Sequence, residues 1–375
     1  MAHTFIDVHV LQTVPPSNIN RDDTGSPKTA KFGGVRRARV SSQAWKRATR
    51  QEFRETLDTN ELGERTKRVV ELLAEAITTQ DPEINEAVEL AENAIAATGV
   101  KIEKHRKRKG EEDTEPAQSA YLLFLSNNQL RNLAAVAIDA ERNGEAIAKK
   151  AAKDALGSDN SIDLALFGRM VADAPDLNVD ACAQVAHAIS VHSVDNEYDY
   201  FTAVDDKAPE DNAGAGMIGT VEFNSSTLYR YATVNADSLA TQLGSAEAVG
   251  RAVEAFLRSF VTSMPTGKQN TFANRTLPDA VVVQIRVRQP VNLVGAFEDP
   301  VEATEEQPRL EVASRRLTSY AQDLDRAFGH SPLSAFVVRI GEATKPLVEL
   351  GDEVDLDALL AGVGAVVRRR VEASS

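Results

Sequence analysis

The chain holds a single cysteine, Cys182, among its 375 residues. One thiol excludes a disulfide framework and any zinc site built from cysteines. No apolar run approaches the roughly 20 residues needed to cross a bilayer. The opening MAHTFIDVHVLQ has no basic segment followed by an apolar one, so it does not read as a signal peptide. A soluble cytoplasmic protein with no membrane partner is expected. Enzyme fingerprints are scarce as well. Neither G-x-x-x-x-G-K-[ST] nor G-x-S-x-G occurs, so P-loop and α/β-hydrolase chemistry lack their sequence basis.

What is present is an unusual distribution of charge. The formal net charge is -14, yet residues 21–50 carry nine Lys/Arg against only Asp22 and Asp23, which is +7 locally and leaves -21 elsewhere. A concentrated basic surface on an acidic protein is the footprint of a polyanion held in one groove. Within KFGGVRRARVSSQAWKRATR (31–50), Phe32-Gly33-Gly34 turns the chain and Val35 to Val40 has strand character. Ser41-Ser42 can cap a helix whose start offers N–H groups and a favourable dipole to phosphate. On that helix Trp45, Thr49, Phe53 and Leu57 fall at i, i+4, i+8 and i+12 and can face a core. Gln43, Lys46, Arg47, Arg50 and Arg54 lie on another side, open to a ligand.

Phe5 to Leu11 reads as a strand ended by Pro15-Pro16, with Asn20 to Ala30 as a loop. From about Asp58 to Val185 strand signals nearly vanish, and helices are expected over Glu61–Thr78, Ile84–Ala97, Ser126–Arg142 and Ala181–Val191. Within this helical region Lys101 to Lys109 is a second basic run with acidic residues close behind, which reads as a solvated loop. Tyr198–Val204 and Met217–Phe223 flank a polar loop and form a hairpin, and Leu228–Val234 alternates as a further strand. A helix over Ser245–Met264, a strand over Ala280–Val287, a helix over Glu311–Phe328, a strand over Ala335–Ile340 and a helix over Leu356–Val371 complete the chain, with Asp299–Glu306 as acidic linker. Without the inserted helices the order suits an α+β fold: an antiparallel sheet of the RRM-like (ferredoxin-like) kind.

Candidate catalytic groups are thin. Cys182 and His187 are five residues apart, and on a helix that spacing does not put them on one face. His187, His192 and Asp195 match no metal spacing, and the neighbours Asp205 and Asp206 fit a polar turn. No metal and no cofactor are expected. The binding candidates are richer. The hairpin carries Tyr200, Phe201, Val204, Met217 and Ile218 on its arms. Phe167-Gly168-Arg169-Met170 is an apolar-plus-basic tip. In TGKQN, Lys268, Gln269 and Asn270 can reach phosphate or sugar.

These segments resemble a known family. HVLQTVPPSNINRDD (9–23), the 31–50 segment, ALFGRM (165–170), AHAISVHSVDNEYDYFTAVDD (ending at Asp206), GTVEFNSSTLYRYATVN (219–235) and PTGKQNTFA (265–273) are similar, in order, to the CasC family, the backbone subunit of the type I-E CRISPR Cascade. The resemblance implies a hand-like chain. Its palm would comprise residues 1–58, 186–194 and 228–375, its helical fingers 59–185 and its β-hairpin thumb 195–227. It implies copies stacked head to tail along CRISPR RNA, with other Cascade subunits as partners and target DNA met through the guide. Arg21, Lys28, Arg37, Arg39, Ser41, Gln43, Lys46, Arg47 and Arg50 would line the RNA groove, joined by Arg169, Lys268, Gln269 and Asn270. Phe201, Val204 and Met217 would form the thumb's base wedge, and Met170 would flank the displaced base. The subunit would not be an enzyme. The alternative is an RRM-fold RNA-processing endoribonuclease of the same system that uses a histidine such as His187 or His192.

Overall fold

A computed structural model describes residues 3–103, 116–203 and 217–374, with backbone alone for Met217. The elements in chain order begin with β1 (Thr4–Ser17), β2 (Thr29–Phe32), β3 (Val35–Val40), α1 (Ser42–Thr56), β4 (Gly63–Thr66), α2 (Val69–Gln80) and α3 (Ala87–Ala97). They continue with β5 (Ile102–Glu103), β6 (Gln118–Ser119), β7 (Leu123–Ser126), α4 (Asn127–Asn143), α5 (Lys149–Gly157), α6 (Ile162–Phe167), β8 (Ala183–Val185) and β9 (Ala188–Ser190). Then come β10 (Glu197–Ala203), β11 (Met217–Asn235), α7 (Ala236–Leu243), α8 (Ala246–Thr262), α9 (Gln269–Phe272) and β12 (Ala280–Val287). The last are α10 (Arg309–Phe328), β13 (Ser334–Arg339), β14 (Asp352–Glu353) and α11 (Leu356–Glu372). The fold is mixed α+β, as expected. The chain packs as two compact units, one of Met1–Glu52, Gln184–Val234 and Phe256–Arg370, the other of Phe53–Ala183, Asn235–Ala255 and Val371–Ser375.

The first unit is built on a sheet in the order β14-β13-β12-β1-β11-β9-β3-β2, with β10 and β8 also paired to β11. β1 and β12 run antiparallel from Thr4↔Val287 to Leu11↔Ala280. Ile6, Val8, Val10, Leu11, Val281, Val282, Val283 and Ile285 are all almost fully buried, so both faces of this central pair are covered. One face packs with Tyr229, Tyr231, Phe297 and the Ala313, Leu317, Ala321 stripe of α10. Another buried cluster joins Val14, Ala38, Val40, Trp45, Leu228 and Met264. Two strands outrun their sequence signals. β1 continues through Pro15-Pro16, where the β12 ladder has already ended at Leu11, so the missing N–H groups cost that ladder nothing. β11 is one strand of 19 residues, where two separate ones are read from sequence.

The helix expected over Ala181–Val191 is absent. β8 and β9 occupy it, because Arg39↔Ile189, Val40↔Ala188 and Leu228↔Ser190 offer ladder partners that local propensity does not foresee.

The second unit is mainly helical. Val70, Leu73 and Ile77 of α2, Leu90, Ala94 and Ile95 of α3, Leu133 and Ala137 of α4 and Leu156 of α5 form one core. α4 starts with a capping box, Ser126 with Gln129, and ends at Gly144 in the left-handed region. The helix expected over Glu61–Thr78 begins only at Val69. Ahead of it β4 pairs with β7, from Gly63↔Ser126 to Thr66↔Leu123. Residues 235–255 pack in this unit, whereas the sequence reading groups them with 228–375. Among the described residues no helix is long and apolar enough to cross a membrane.

Candidate nucleic-acid interface

The basic stretch lies in the sheet unit and is held by a rigid frame. The Asn20–Lys28 loop folds on its own side chains. Asp22 Oδ1 accepts Thr24 N–H and Ser26 N–H, each at 3.0 Å, and Thr24 Oγ1–H at 2.7 Å. The Thr24 hydroxyl and these amides hold the Asp22 carboxyl below its ordinary range. Asn18 Nδ2 donates to Gly25 O and Glu222 O, each at 2.9 Å. Arg21 pairs with Pro27 as an isolated bridge and is exposed. Arg21 and Lys28 therefore project from a fixed loop.

β2 and β3 pair from Thr29↔Ala38 to Phe32↔Val35, leaving Gly33-Gly34 as a two-residue turn with φ +58° and +80°. Both glycines occupy the region an I′ turn demands. Gly33 is needed twice over, because a Cβ there would lie 1.6 Å from Glu298 O. This contact explains Arg37, which leaves the RNA-contact set. Arg37 is fully buried and donates to Phe32 O at 3.2 Å, Ser190 O at 3.0 Å, Phe297 O at 2.9 Å and Glu298 O at 3.0 Å. It fastens the turn after Phe297 to the hairpin and has no donor facing solvent. Arg39 is half-buried and donates from Nε to Thr29 O at 3.2 Å.

α1 follows directly. Ser41 Oγ caps Ala44 N–H at 3.3 Å, while Ser41 N–H donates to Asn20 Oδ1 at 2.8 Å. Ser42 N–H donates to His187 Nδ1 at 3.3 Å. The N–H groups of Ser41, Ser42, Ala44 and Trp45 thus have internal acceptors, which corrects the expectation that these groups await phosphate. Side chains carry the positive charge instead. Trp45, Thr49 and Phe53 are buried, Lys46 and Arg50 half-buried, Gln43 and Arg47 exposed. Burial lowers the pKa of Lys46. A partly desolvated ammonium attracts an anion more strongly than one in bulk water.

The TGKQN loop arrives at the same place. A Cβ on Gly267 would lie 2.3 Å from Ile19 O, so only glycine lets this loop press on the chain ahead of Arg21. Lys268 and Ala273 have φ of +50° and +46° and bracket the short helix α9. Gln269 and Asn270 are exposed and Lys268 is half-buried. Behind them Phe272 packs on Phe223 with ring centroids 5.8 Å apart, at the base of the β10–β11 hairpin. In that hairpin Phe201 lies opposite Gly219, and its ring covers the space a Cβ would take. Phe201 is 36% exposed, against 67% for Tyr198, 63% for Tyr200 and 61% for Ile218 on the other face. Val204, the Met217 side chain, Asp205, Asp206 and the basic run from Lys104 to Lys109 lie outside the described residues.

The residues thus form one ordered surface in the sheet unit, and comparisons with known proteins give it a family. The family model Cas_CT1975, described as CT1975-like protein, matches residues 6–361. The chain belongs to the CT1975-like Cas family. Two solved structures are similar over nearly all of it. A chain of a "CRISPR RNA-guided surveillance complex, pre-nicking" is 34% identical with TM-score 0.78, covering 96% of this chain and 100% of that one. A chain of a "CRISPR RNA-guided surveillance complex" is 29% identical with TM-score 0.69, covering 96% and 99%. No curated protein matches.

For this member of the CT1975-like family, the helical unit supplies one further exposed candidate and removes another. Met170 is 84% exposed. Arg169 is buried and donates to Leu177 O at 2.7 Å, Phe124 O at 3.2 Å, Gln129 Oε1 at 3.0 Å and Leu156 O at 2.8 Å. Burial pushes its guanidinium down to about 10. It is a core tie and not an RNA contact. Burial, reinforced by Asp180, pushes the Cys182 thiol up to about 12, so it is no nucleophile. His192 is buried, with Nδ1 donating to Ser193 O at 2.7 Å and Nε2 accepting Thr227 N–H at 3.1 Å. Both nitrogens are committed, which leaves nothing for acid–base work. Gly214–Gly219 spells G-x-G-x-x-G, but its last glycine sits within β11 and not at a helix start, so the dinucleotide fingerprint lacks its context. Among the described residues no three His, Cys, Asp or Glu side chains could hold a metal.

Proposed function

We propose that the chain is a non-catalytic backbone subunit of a type I-E CRISPR surveillance complex, binding CRISPR RNA through the basic surface of its sheet unit. In this reading the sheet unit is an RRM-like palm, the helical unit the fingers and the β10–β11 hairpin the thumb. Copies stack head to tail along the spacer, and each thumb displaces one base. The intervening bases stay free to pair with target DNA, and other subunits complete the particle in the cytoplasm.

One observation carries the reading. Arg21 and Lys28 of the loop ahead of β2, Arg39 of β3, and Lys46 and Arg47 of α1 belong to one unit. Asn20, which accepts Ser41 N–H and Lys28 N–H, and Gly267, pressed on Ile19, draw those elements together. Such an arrangement fits a phosphate backbone running across side-chain cations. Phosphate contacts position a strand without reading its sequence, which a guide requires because base pairing must supply the specificity. Arg37 and Arg169 have no part in it.

Replacing Lys46 and Arg47 together with alanine tests the proposal. RNA affinity should fall for every sequence tried. The slope of log K against log salt should shrink by about 1.4, at about 0.7 per lost phosphate contact on a single strand. An unchanged slope would refute the assignment. Cleavage of repeat-containing RNA by the purified protein would favour the endoribonuclease reading instead.

A further inference from the structure

His187, a catalytic candidate in the endoribonuclease reading, stands beside this surface. The pairings Arg39↔Ile189 and Val40↔Ala188 run antiparallel, so the next residue, His187, arrives alongside Ser41 and Ser42. Its Nδ1 is 3.3 Å from Ser42 N and 3.4 Å from Arg39 Nη1. Both are groups that only donate. Nδ1 must therefore be the acceptor nitrogen, and the single proton of the neutral ring resides on Nε2. The charged neighbours acting on the ring are Arg39 from β3 and Lys28 from the loop ahead of β2, both cations; α1 contributes the Ser42 N–H. Burial and these two cations lower the pKa of His187, which keeps the ring neutral at physiological pH. The side chain is exposed, which leaves the Nε2–H within reach of a ligand.

We infer that His187 is an RNA-binding residue of this groove, presenting Nε2–H as an uncharged donor to a phosphate oxygen. The inference rests on the RNA-binding reading above. Chemically it assigns the histidine a task distinct from that of its neighbours. Lys and Arg attract the strand over a distance and release counterions on contact. A neutral imidazole whose tautomer is fixed by Ser42 and Arg39 adds direction without charge, and so sets where along the groove a phosphate rests.

The difference in charge supplies the test. Binding of fluorescent oligouridylate is measured against salt concentration for the full-length protein, His187→Ala and His187→Gln, with thermal melting as a control on folding. His187→Ala should weaken binding about tenfold, the value of one hydrogen bond to a charged acceptor. Its salt slope should equal that of the unmodified protein, unlike the Lys46/Arg47 pair. His187→Gln, whose amide N–H can reach the Nε2 position, should recover most of the affinity. Unmodified protein should bind equally well from pH 7.5 to 8.5. Unchanged affinity in His187→Ala overturns the inference. A slope reduced by about 0.7 also overturns it, because the ring would then bind as imidazolium. If the unmodified protein itself fails to bind oligouridylate at low salt, the RNA-binding reading falls as a whole.

Discussion

At the scale of the residue, the main lesson concerns arginine. Counting positive charge along the sequence treats Arg36, Arg37 and Arg39 alike, yet the fold separates them into an exposed, a fully buried and a half-buried residue. Arg37 gives its donors to four carbonyl oxygens. Arg230 is likewise buried, its guanidinium 3.7 Å over the Trp45 ring and 4.5 Å over the Phe260 ring, with Gln12 Oε1 accepting at 2.7 Å and Phe260 O also accepting. A planar fork suits such places, whereas an ammonium cannot satisfy several acceptors in fixed directions. Arg37→Lys should therefore lower stability by about 2–3 kcal/mol, the cost of leaving buried carbonyls unpaired. Arg36→Lys should stay within about 0.5 kcal/mol. Denaturant unfolding of the two variants distinguishes them, and equal midpoints would contradict the assignment. Along the chain Arg37 is one basic strand residue among several. Its partners Ser190, Phe297 and Glu298 are more than 150 positions away in the chain.

At the scale of the element, the β10–β11 hairpin is the informative piece. Its two faces differ. Tyr198, Tyr200 and Ile218 stand free, while the Phe201 ring is folded across Gly219. An aromatic ring covering a strand glycine is a recognised way to compensate for the missing side chain. A Cβ added at Gly219 would come within 2.4 Å of that ring, so Gly219→Ala must swing Phe201 out. The melting temperature should change little, because every residue of β10 is already exposed. If Phe201 is the wedge, assemblies of this variant on RNA should lose even spacing, visible by electron microscopy or as altered periodicity of nuclease-accessible positions. Even spacing in the variant would move the wedge to the Tyr198–Tyr200–Ile218 face. The strand pattern YDYFTAV made the hairpin legible in the sequence. Which face is free was not, because that depends on the cross-strand register, Phe201↔Gly219, which pairing of the two strands sets and neither strand's own pattern shows.

At the scale of the whole molecule, acid should be the fold's weakness. His9 is buried on β1, with Nδ1 2.9 Å from Tyr229 Oη and no partner for Nε2 among the described residues. Burial, with the Arg286 charge, lowers its pKa to about 3. Burial, with the Arg309 charge, lowers that of His192 to about 4. In both cases the unfolded chain takes up the proton first. The stability that neutral histidine permits is therefore complete above about pH 6.5 and drains away below it, toward pH 4 for His192 and pH 3 for His9. Each contributes a slope of about 1.4 kcal/mol per pH unit in that window. His9→Gln, measured by urea unfolding between pH 7 and 5, should be less stable at pH 7 but about 1.4 kcal/mol per unit shallower than the unmodified chain. Parallel slopes would show that His9 does not titrate on unfolding.

Several features are enforced by chemistry local to the chain. These are the +7 segment on an acidic chain, the amphipathic α1, the helix and strand pair α10 and β13, the strand β12 and the Gly33-Gly34 turn. Each depends on periodicity, capping or backbone sterics within a few residues. Tertiary structure alone decided the rest. Residues 183–190 became strands because ladder partners from β3 and β11 were there to meet them. Arg37 and Arg169 became buried ties because carbonyls of several other segments converged on each of them. His187 came to stand beside Ser42 and Arg39, about 145 positions away, because an antiparallel register delivered it there. Charge and pattern are written along the chain, whereas the partner that fixes what a charge is for is chosen by the fold.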